Sequence, residues 1–331
     1  MVKMLKYLFA VDEKPQRGLI AAEWAMMAYL VLTLLYMFFT WTKLPAPEPM
    51  LWGRVRIVIT TVALWGVYRM VPCRFTMLCR VALQLALLSW WYPDTYELNR
   101  ILPNLDHRFA AFEQSLFGFQ PALVFSQLCS HPVFSELMYL GYASYFPLIA
   151  TIVVYYFFQR YQDFQRMSFV ILASFFLFYV VFIVLPVSGP QFYYLAAGLD
   201  NISQGIFPDL GDYFMTHNEM MHMPGYDEGL FYYFIIIAHV AGERPTAAFP
   251  SSHVGLTFVL LLLAWRTRCR SLFYVVLTFF LLMCFSTVYI RAHYAIDVFA
   301  GVVLGLLCYL LFQYMPIGRH KNRKTVVIEN R

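Results

Sequence analysis

Long apolar stretches separated by short polar segments dominate this chain. They fall at about 19–41, 54–71, 77–92, 133–158, 167–187, 254–266, 272–290 and 294–315. Each approaches the roughly 20 residues that an α-helix needs to cross a bilayer. The pattern predicts an all-α, polytopic membrane bundle of about eight transmembrane helices. The third and sixth runs are short, and a first turn starting at Pro250 extends the sixth backward. A ninth apolar stretch, 229–241, is too short to span and reads as re-entrant or interfacial.

Composition agrees. Hydrophobic residues make up 61% of the 331 positions and charged residues 13%, with a mean hydropathy of +0.61. Such a chain has too little polar surface for a water-soluble globule. The first apolar run contains Glu23 and ends at Trp41-Thr42-Lys43 without a small-residue cleavage pattern, so it reads as a retained helix. Alternating the eight helices places 17 of the 24 Lys and Arg on one side, including Lys3, Lys6, Lys14, Arg80 and the tail from Arg319 to Arg331. Basic residues collect in the cytoplasm, which puts both termini there. The other side holds Lys43, Arg54, Arg56, Arg100, Arg108, Arg244 and Arg291.

A net charge of +5 concentrated in short loops and a tail suits contact with anionic lipid heads. No basic stripe with interleaved aromatics reads nucleic acid, and the six cysteines follow neither a zinc spacing nor a disulfide framework.

Two long outer loops interrupt the helices. The first, 93–132, carries Leu105-Asp106-His107-Arg108-Phe109 and Phe112-Glu113-Gln114-Ser115-Leu116-Phe117, an amphipathic pattern suited to a helix lying in the interface. The second, about 188–253, follows the break at Pro186-Val187-Ser188-Gly189-Pro190-Gln191. These breaks divide the chain into accessory N-terminal helices (1–92), an interfacial loop (93–132), a catalytic membrane bundle (133–315) and a basic cytoplasmic tail (316–331). The second loop is acidic, with Asp200, Asp209, Asp212, Glu219, Asp227, Glu228 and Glu243 against Arg244 alone. It reads as a solvated lid. The spacing in His217-Asn218-Glu219-Met220-Met221-His222-Met223 matches no established metal-ligand pattern, and no metal or other cofactor is expected.

The candidate chemistry sits where helices meet loops on the side away from the cytoplasm: Ala247-Ala248-Phe249-Pro250-Ser251-Ser252-His253 and Arg291-Ala292-His293-Tyr294-Ala295-Ile296-Asp297. Ionisable residues at span ends are costly unless paired and used. His293 and Asp297, four residues apart, would share a helix face, with the carboxylate taking the imidazole N–H. Pro250 suits the first helical position, so free N–H groups near Ser251 and Ser252 would point at an anion. Arg244 and Arg291 are the available guanidinium clamps. His107, His131, His217, His222 and His239 read as head-group contacts or core residues.

These two segments resemble the type 2 phosphatidic acid phosphatases and their haloperoxidase relatives. Pro250-Ser251-Ser252-His253 looks like that superfamily's Pro-Ser-Gly-His element, and His293-Tyr294-Ala295-Ile296-Asp297-Val298-Phe299-Ala300-Gly301 like its His-x-x-x-Asp element with a trailing glycine. The resemblance covers about 133–315 and implies a six-helix-type phosphatase core. By resemblance, His293 attacks phosphorus, Asp297 orients its ring and His253 protonates the leaving oxygen. The family's first motif, a Lys and an Arg-Pro, lacks a clear counterpart, and its Ser-Arg upstream of the nucleophile is Ser286-Thr287 here. Those departures, with Ser188-Gly189-Pro190-Gln191, look more like the inositol phosphorylceramide synthase branch.

The resemblance thus implies an integral membrane lipid phosphatase or phosphotransferase acting on a phosphorylated lipid. A head-group transferase is the enzymatic alternative, and a catalytically silent lipid-binding protein the alternative of another class. A transporter is disfavoured because the ionisable residues cluster at one interface and not at the midplane. Oligomeric state and substrate identity are not legible in the sequence.

Overall fold

The computed structural model describes residues 2–12 and 15–316, except for the side chains of 240 and 241; of the predicted basic tail, 317–331 lies outside the described residues. Among the described residues fifteen α-helices follow in order: α1 (Val2–Leu8), α2 (Ala21–Thr40), α3 (Pro47–Met70), α4 (Arg74–Asn99), α5 (Asp106–Phe117), α6 (Pro121–Leu128), α7 (Pro132–Ala143), α8 (Tyr145–Gln159), α9 (Tyr161–Val184), α10 (Pro190–Ala197), α11 (Leu199–Ser203), α12 (Leu230–Gly242), α13 (Ser252–Arg266), α14 (Arg270–Tyr289) and α15 (Ala295–Tyr314). Prolines open α3, α6, α7 and α10, where the missing N–H costs nothing.

Each predicted apolar run is helical, but their standing as spans differs. Among the described residues α2, α3, α9, α14 and α15 are long and apolar enough to cross a membrane, and α7 with α8, bent by 47°, makes a sixth candidate. The chain is thus an all-helical, multi-pass membrane protein. α13 has 15 residues, and α4 carries Arg80, Asp94 and Glu97 among its apolar positions. Sequence reading ends the third run at Tyr92. The helix instead continues through Pro93 to Asn99, because the polar residues beyond the proline find partners inside the bundle. Asp94 takes both Nη atoms of Arg54 at 2.8 and 2.7 Å, and Asn99 donates to the carbonyl of Phe182 and the hydroxyl of Thr246. Arg80 likewise pairs with Glu23. Arg54 and Arg80 are therefore buried bundle residues and not the loop charges that the sequence count assigned to opposite sides.

α9 is the axis of the molecule. Most of it is buried, and α2, α4, α8, α13 and α15 all pack against it. One continuous apolar core runs from Met26 and Tyr29 on α2 through Phe176 and Phe178 on α9 to Leu256 and Val259 on α13.

Close approach of α13 to α15 places the two histidine-bearing loops side by side. A Cβ on Gly301 would lie 2.5 Å from the Ser251 carbonyl oxygen, and one on Gly305 would lie 2.4 Å from that of Gly255. Glycines four residues apart let two membrane helices pack backbone to backbone. Gly301→Val is expected to destabilise the protein by about 1–3 kcal/mol and to lower activity, read by thermal unfolding in detergent and by turnover of the folded fraction.

Candidate active site

His253 lies in the first turn of α13. Ser251 is the N-cap, accepting the Val254 N–H at 3.3 Å, and its own N–H donates to the Asp297 carbonyl at 3.0 Å. The helix thus begins at Ser252, and Pro250 precedes it instead of occupying the first helical position. Ser251 is fully buried with its hydroxyl and N–H both used, so of the two serines Ser252 alone lines the cavity described below. The His253 ring is stacked on Tyr142 at 4.5 Å and packed on Tyr145 at 4.4 Å, and it faces the His293 ring at 5.8 Å between centroids.

His293 is not on a helix. Arg291 has φ 67°, a left-handed turn that few side chains adopt, and the chain enters α15 only at Ala295. Asp297 is the third residue of α15, where its Oδ2 accepts the Tyr294 N–H at 2.8 Å. Its distance to His293 Nδ1 is 3.6 Å, without a hydrogen bond. The expected carboxylate–imidazole bond is replaced by a shorter one, from Nδ1 to the Ala248 carbonyl at 2.7 Å. Ala247, at φ 68°, turns that carbonyl toward the ring. Donation from Nδ1 leaves the lone pair on Nε2, and burial lowers the His293 pKa to about 4. The ring is therefore neutral at pH 7, as a nucleophile requires.

A small cavity joins the two motifs. Its wall includes Tyr92, Ser188, Glu243, Ser252, His253 and His293, and at about 20 Å³ it has room for roughly one water. Of the seven acidic residues in the second loop, Glu243 alone contributes to it. Tyr92 Oη and Gln191 Nε2 each stand 3.3 Å from Glu243 Oε1, and burial raises its pKa to about 7.

Arg291 points elsewhere: its guanidinium donates to Ser126 Oγ at 3.2 Å and to the His222 carbonyl at 3.5 Å. Arg244 donates to the Glu243 carbonyl at 2.8 Å, and neither guanidinium lines the cavity. His217 stacks on Tyr213 at 4.0 Å. His239 is buried beside Tyr142, and burial lowers its pKa to about 4. No group of three or more His, Cys, Asp or Glu suited to a metal ion occurs among the described residues.

The interfacial loop proves to be a buttress that sequence reading missed. Asp106, at the start of α5, accepts the N–H groups of Ser188 at 2.6 Å and Gly189 at 2.9 Å, the Asn104 side-chain amide at 2.6 Å and the Tyr294 hydroxyl at 2.9 Å. Two turns later, Glu113 Oε1 accepts the N–H groups of Ala295 at 2.6 Å and Ile296 at 3.3 Å. The free N–H groups that open α15 are thereby satisfied by a carboxyl from another helix. The spacing of Asp106, Ala110 and Glu113 is a visible signal, but it reads as a water-facing stripe. All three are fully buried, while Phe112 and Leu116 on the opposite face are exposed. Gly189, at φ 94°, completes the joint: a Cβ there would stand 2.6 Å from the Ala292 carbonyl oxygen.

A family model described as PAP2 superfamily matches residues 107–311. The chain belongs to the PAP2 superfamily. The matched segment begins inside α5, one residue after Asp106, and takes in both histidine motifs and every residue of the cavity wall except Tyr92. No curated protein and no solved structure matches the chain.

Proposed function

We propose that this protein transfers a phosphoryl group from a phosphorylated lipid through a phosphohistidine, as a phosphatase with water as acceptor or as a phosphotransferase with an alcohol. The observation that carries the reading is the pair of facing imidazoles, one of which has its Nδ1 fixed on a backbone carbonyl. Membership of the PAP2 superfamily supports a phosphatase-type or phosphotransferase-type enzyme. His293 Nε2 attacks phosphorus and the bond to the leaving oxygen breaks, that oxygen taking the proton that His253 binds when the phosphate anion enters beside it. The acceptor hydroxyl then attacks phosphorus, the N–P bond breaks, and His253 recovers its proton from the acceptor. Asp297, close to Nδ1, stabilises the positive charge that develops on the ring. The cavity holds about one water, so its wall must open to admit a phosphoryl group. The site would face away from the cytoplasm and take substrate from the outer leaflet.

Head-group transfer of the inositol phosphorylceramide synthase kind is the second reading. It rests on the Ser188–Gln191 loop, which places Ser188 in the cavity wall and Gln191 on Glu243. Purified protein offered phosphatidic acid, isoprenyl diphosphate, and an inositol-bearing phospholipid with and without ceramide separates the cases. Phosphate release from monoesters in the presence of EDTA is the expected result. A strict requirement for an alcohol acceptor would favour head-group transfer. Inertness of folded protein toward every lipid, with binding retained, would favour a silent lipid-binding protein.

A further inference from the structure

Phosphoryl transfer needs positive or hydrogen-donating groups around the anion, yet the cavity between His253 and His293 has no lysine or arginine in its wall among the described residues. It has a carboxyl group instead. We propose that Glu243 acts as a neutral carboxylic acid which donates a hydrogen bond from Oε2 to a phosphoryl oxygen, at the place where a cation would otherwise stand. The proposal rests on the phosphoryl-transfer reading and names the group that binds the anion.

Three observations carry it. Glu243 lines the same cavity as the two imidazoles. An ionised carboxylate at that position would repel a phosphate strongly in a site shielded from water, so an anion and Glu243 are compatible only if the carboxyl holds a proton. The third is geometric: Tyr92 Oη and Gln191 Nε2 both address Oε1, which leaves Oε2 as the oxygen that can carry a proton and donate it. The titratable and charged groups facing Glu243 are Tyr92 from α4, Tyr142 from α7, His253 from the first turn of α13, His293 from the loop before α15, and Arg244 beside it in sequence. Burial is the largest influence and favours the protonated form, while His293, the hydrogen bonds from Tyr92 and Gln191, and Arg244 oppose it, and the balance lies near pH 7. The sign follows: the acid form is populated below that pH and is lost as pH rises through it.

Glu243→Gln tests the assignment, because the amide is always neutral, always a donor and nearly isosteric. Full-length wild type, E243Q and E243A, each shown to be monodisperse by gel filtration in detergent, are compared from pH 5 to pH 9. One arm measures tungstate affinity, using an oxyanion that stays dianionic over this range. The other measures kcat/KM on phosphatidic acid as the ratio of variant to wild type, which cancels the substrate's own titration. Wild-type affinity for tungstate should fall about tenfold per pH unit above pH 7. E243Q should lack that fall, stand within about tenfold of wild type in kcat/KM at pH 6 and overtake it by pH 9, and E243A should bind tungstate more weakly than wild type at pH 6. An alkaline fall retained in E243Q would overturn the proposal, and so would a loss above about a hundredfold at every pH, which marks a base that must ionise. If wild type binds tungstate with the predicted pH dependence but releases no phosphate from any lipid, the anion site stands and the reaction reading fails.

Discussion

His293→Ala is expected to lower turnover by roughly four orders of magnitude or more and to abolish any covalent phosphoenzyme, since no other group can replace a nucleophile held in place. The ring is fixed by the Ala248 carbonyl on one nitrogen and buried beside His253, so its loss removes the attacking atom and leaves the helices untouched. Asp297→Asn should be milder, at about 10–100-fold. The carboxylate stands 3.6 Å from Nδ1 and does not orient the ring; an asparagine keeps an acceptor for the Tyr294 N–H and loses only the charge. Rapid-quench measurement of phosphoenzyme and steady-state turnover on the same preparations checks both. Equal losses in the two variants would mean that Asp297, and not the Ala248 carbonyl, sets the ring.

Asp106→Ala is the second large effect, and it acts at a distance from the chemistry. One buried carboxylate satisfies four donors from three segments: the Ser188–Gly189 turn, Asn104 and Tyr294. Truncation leaves the Ser188, Gly189 and Tyr294 donors unpaired out of reach of water, each costing about 1–3 kcal/mol and not additively, while Asn104 keeps Ser188 Oγ as an acceptor. A total loss of at least about 3 kcal/mol is expected, read as a lower thermal midpoint in detergent. Activity of the surviving folded fraction should fall as well, because Ser188 lines the cavity and Tyr294 is the residue after His293. Stability and turnover at wild-type levels in Asp106→Ala would remove α5 from the account of the site.

The sequence discloses the helices through their apolar lengths, which depend on local composition and little else. It singles out His253, His293 and Asp297 as candidates because ionisable residues at span ends stand out against that background. What it conceals depends on contacts between distant segments. Pro93 ends an apolar run, yet α4 continues because Arg54, Tyr29 and Thr246 receive Asp94, Thr95 and Asn99. Asp106 and Glu113 have the spacing of a solvated stripe, and only the tertiary fold turns that stripe onto the N-terminus of α15. Arg291 stands two residues before His293 and reads as a phosphate clamp, but its left-handed backbone sends the guanidinium toward Ser126 and His222. The i,i+4 reading of His293 and Asp297 assumes a helix that starts two residues too early. Glu243 is hidden among seven acidic loop residues, and no local pattern separates it from the other six.

The central claim is that phosphorus passes through His293. Purified protein is mixed with lipid phosphate labelled in the phosphoryl group, quenched in alkali within the first turnover, digested and mapped by mass spectrometry. The account predicts an acid-labile, alkali-stable phosphate on the peptide containing His293, absent from His293→Ala and accumulating when no acceptor alcohol is supplied to a transferase. Phosphate release with no label on the protein, or with the label on another residue, would contradict it.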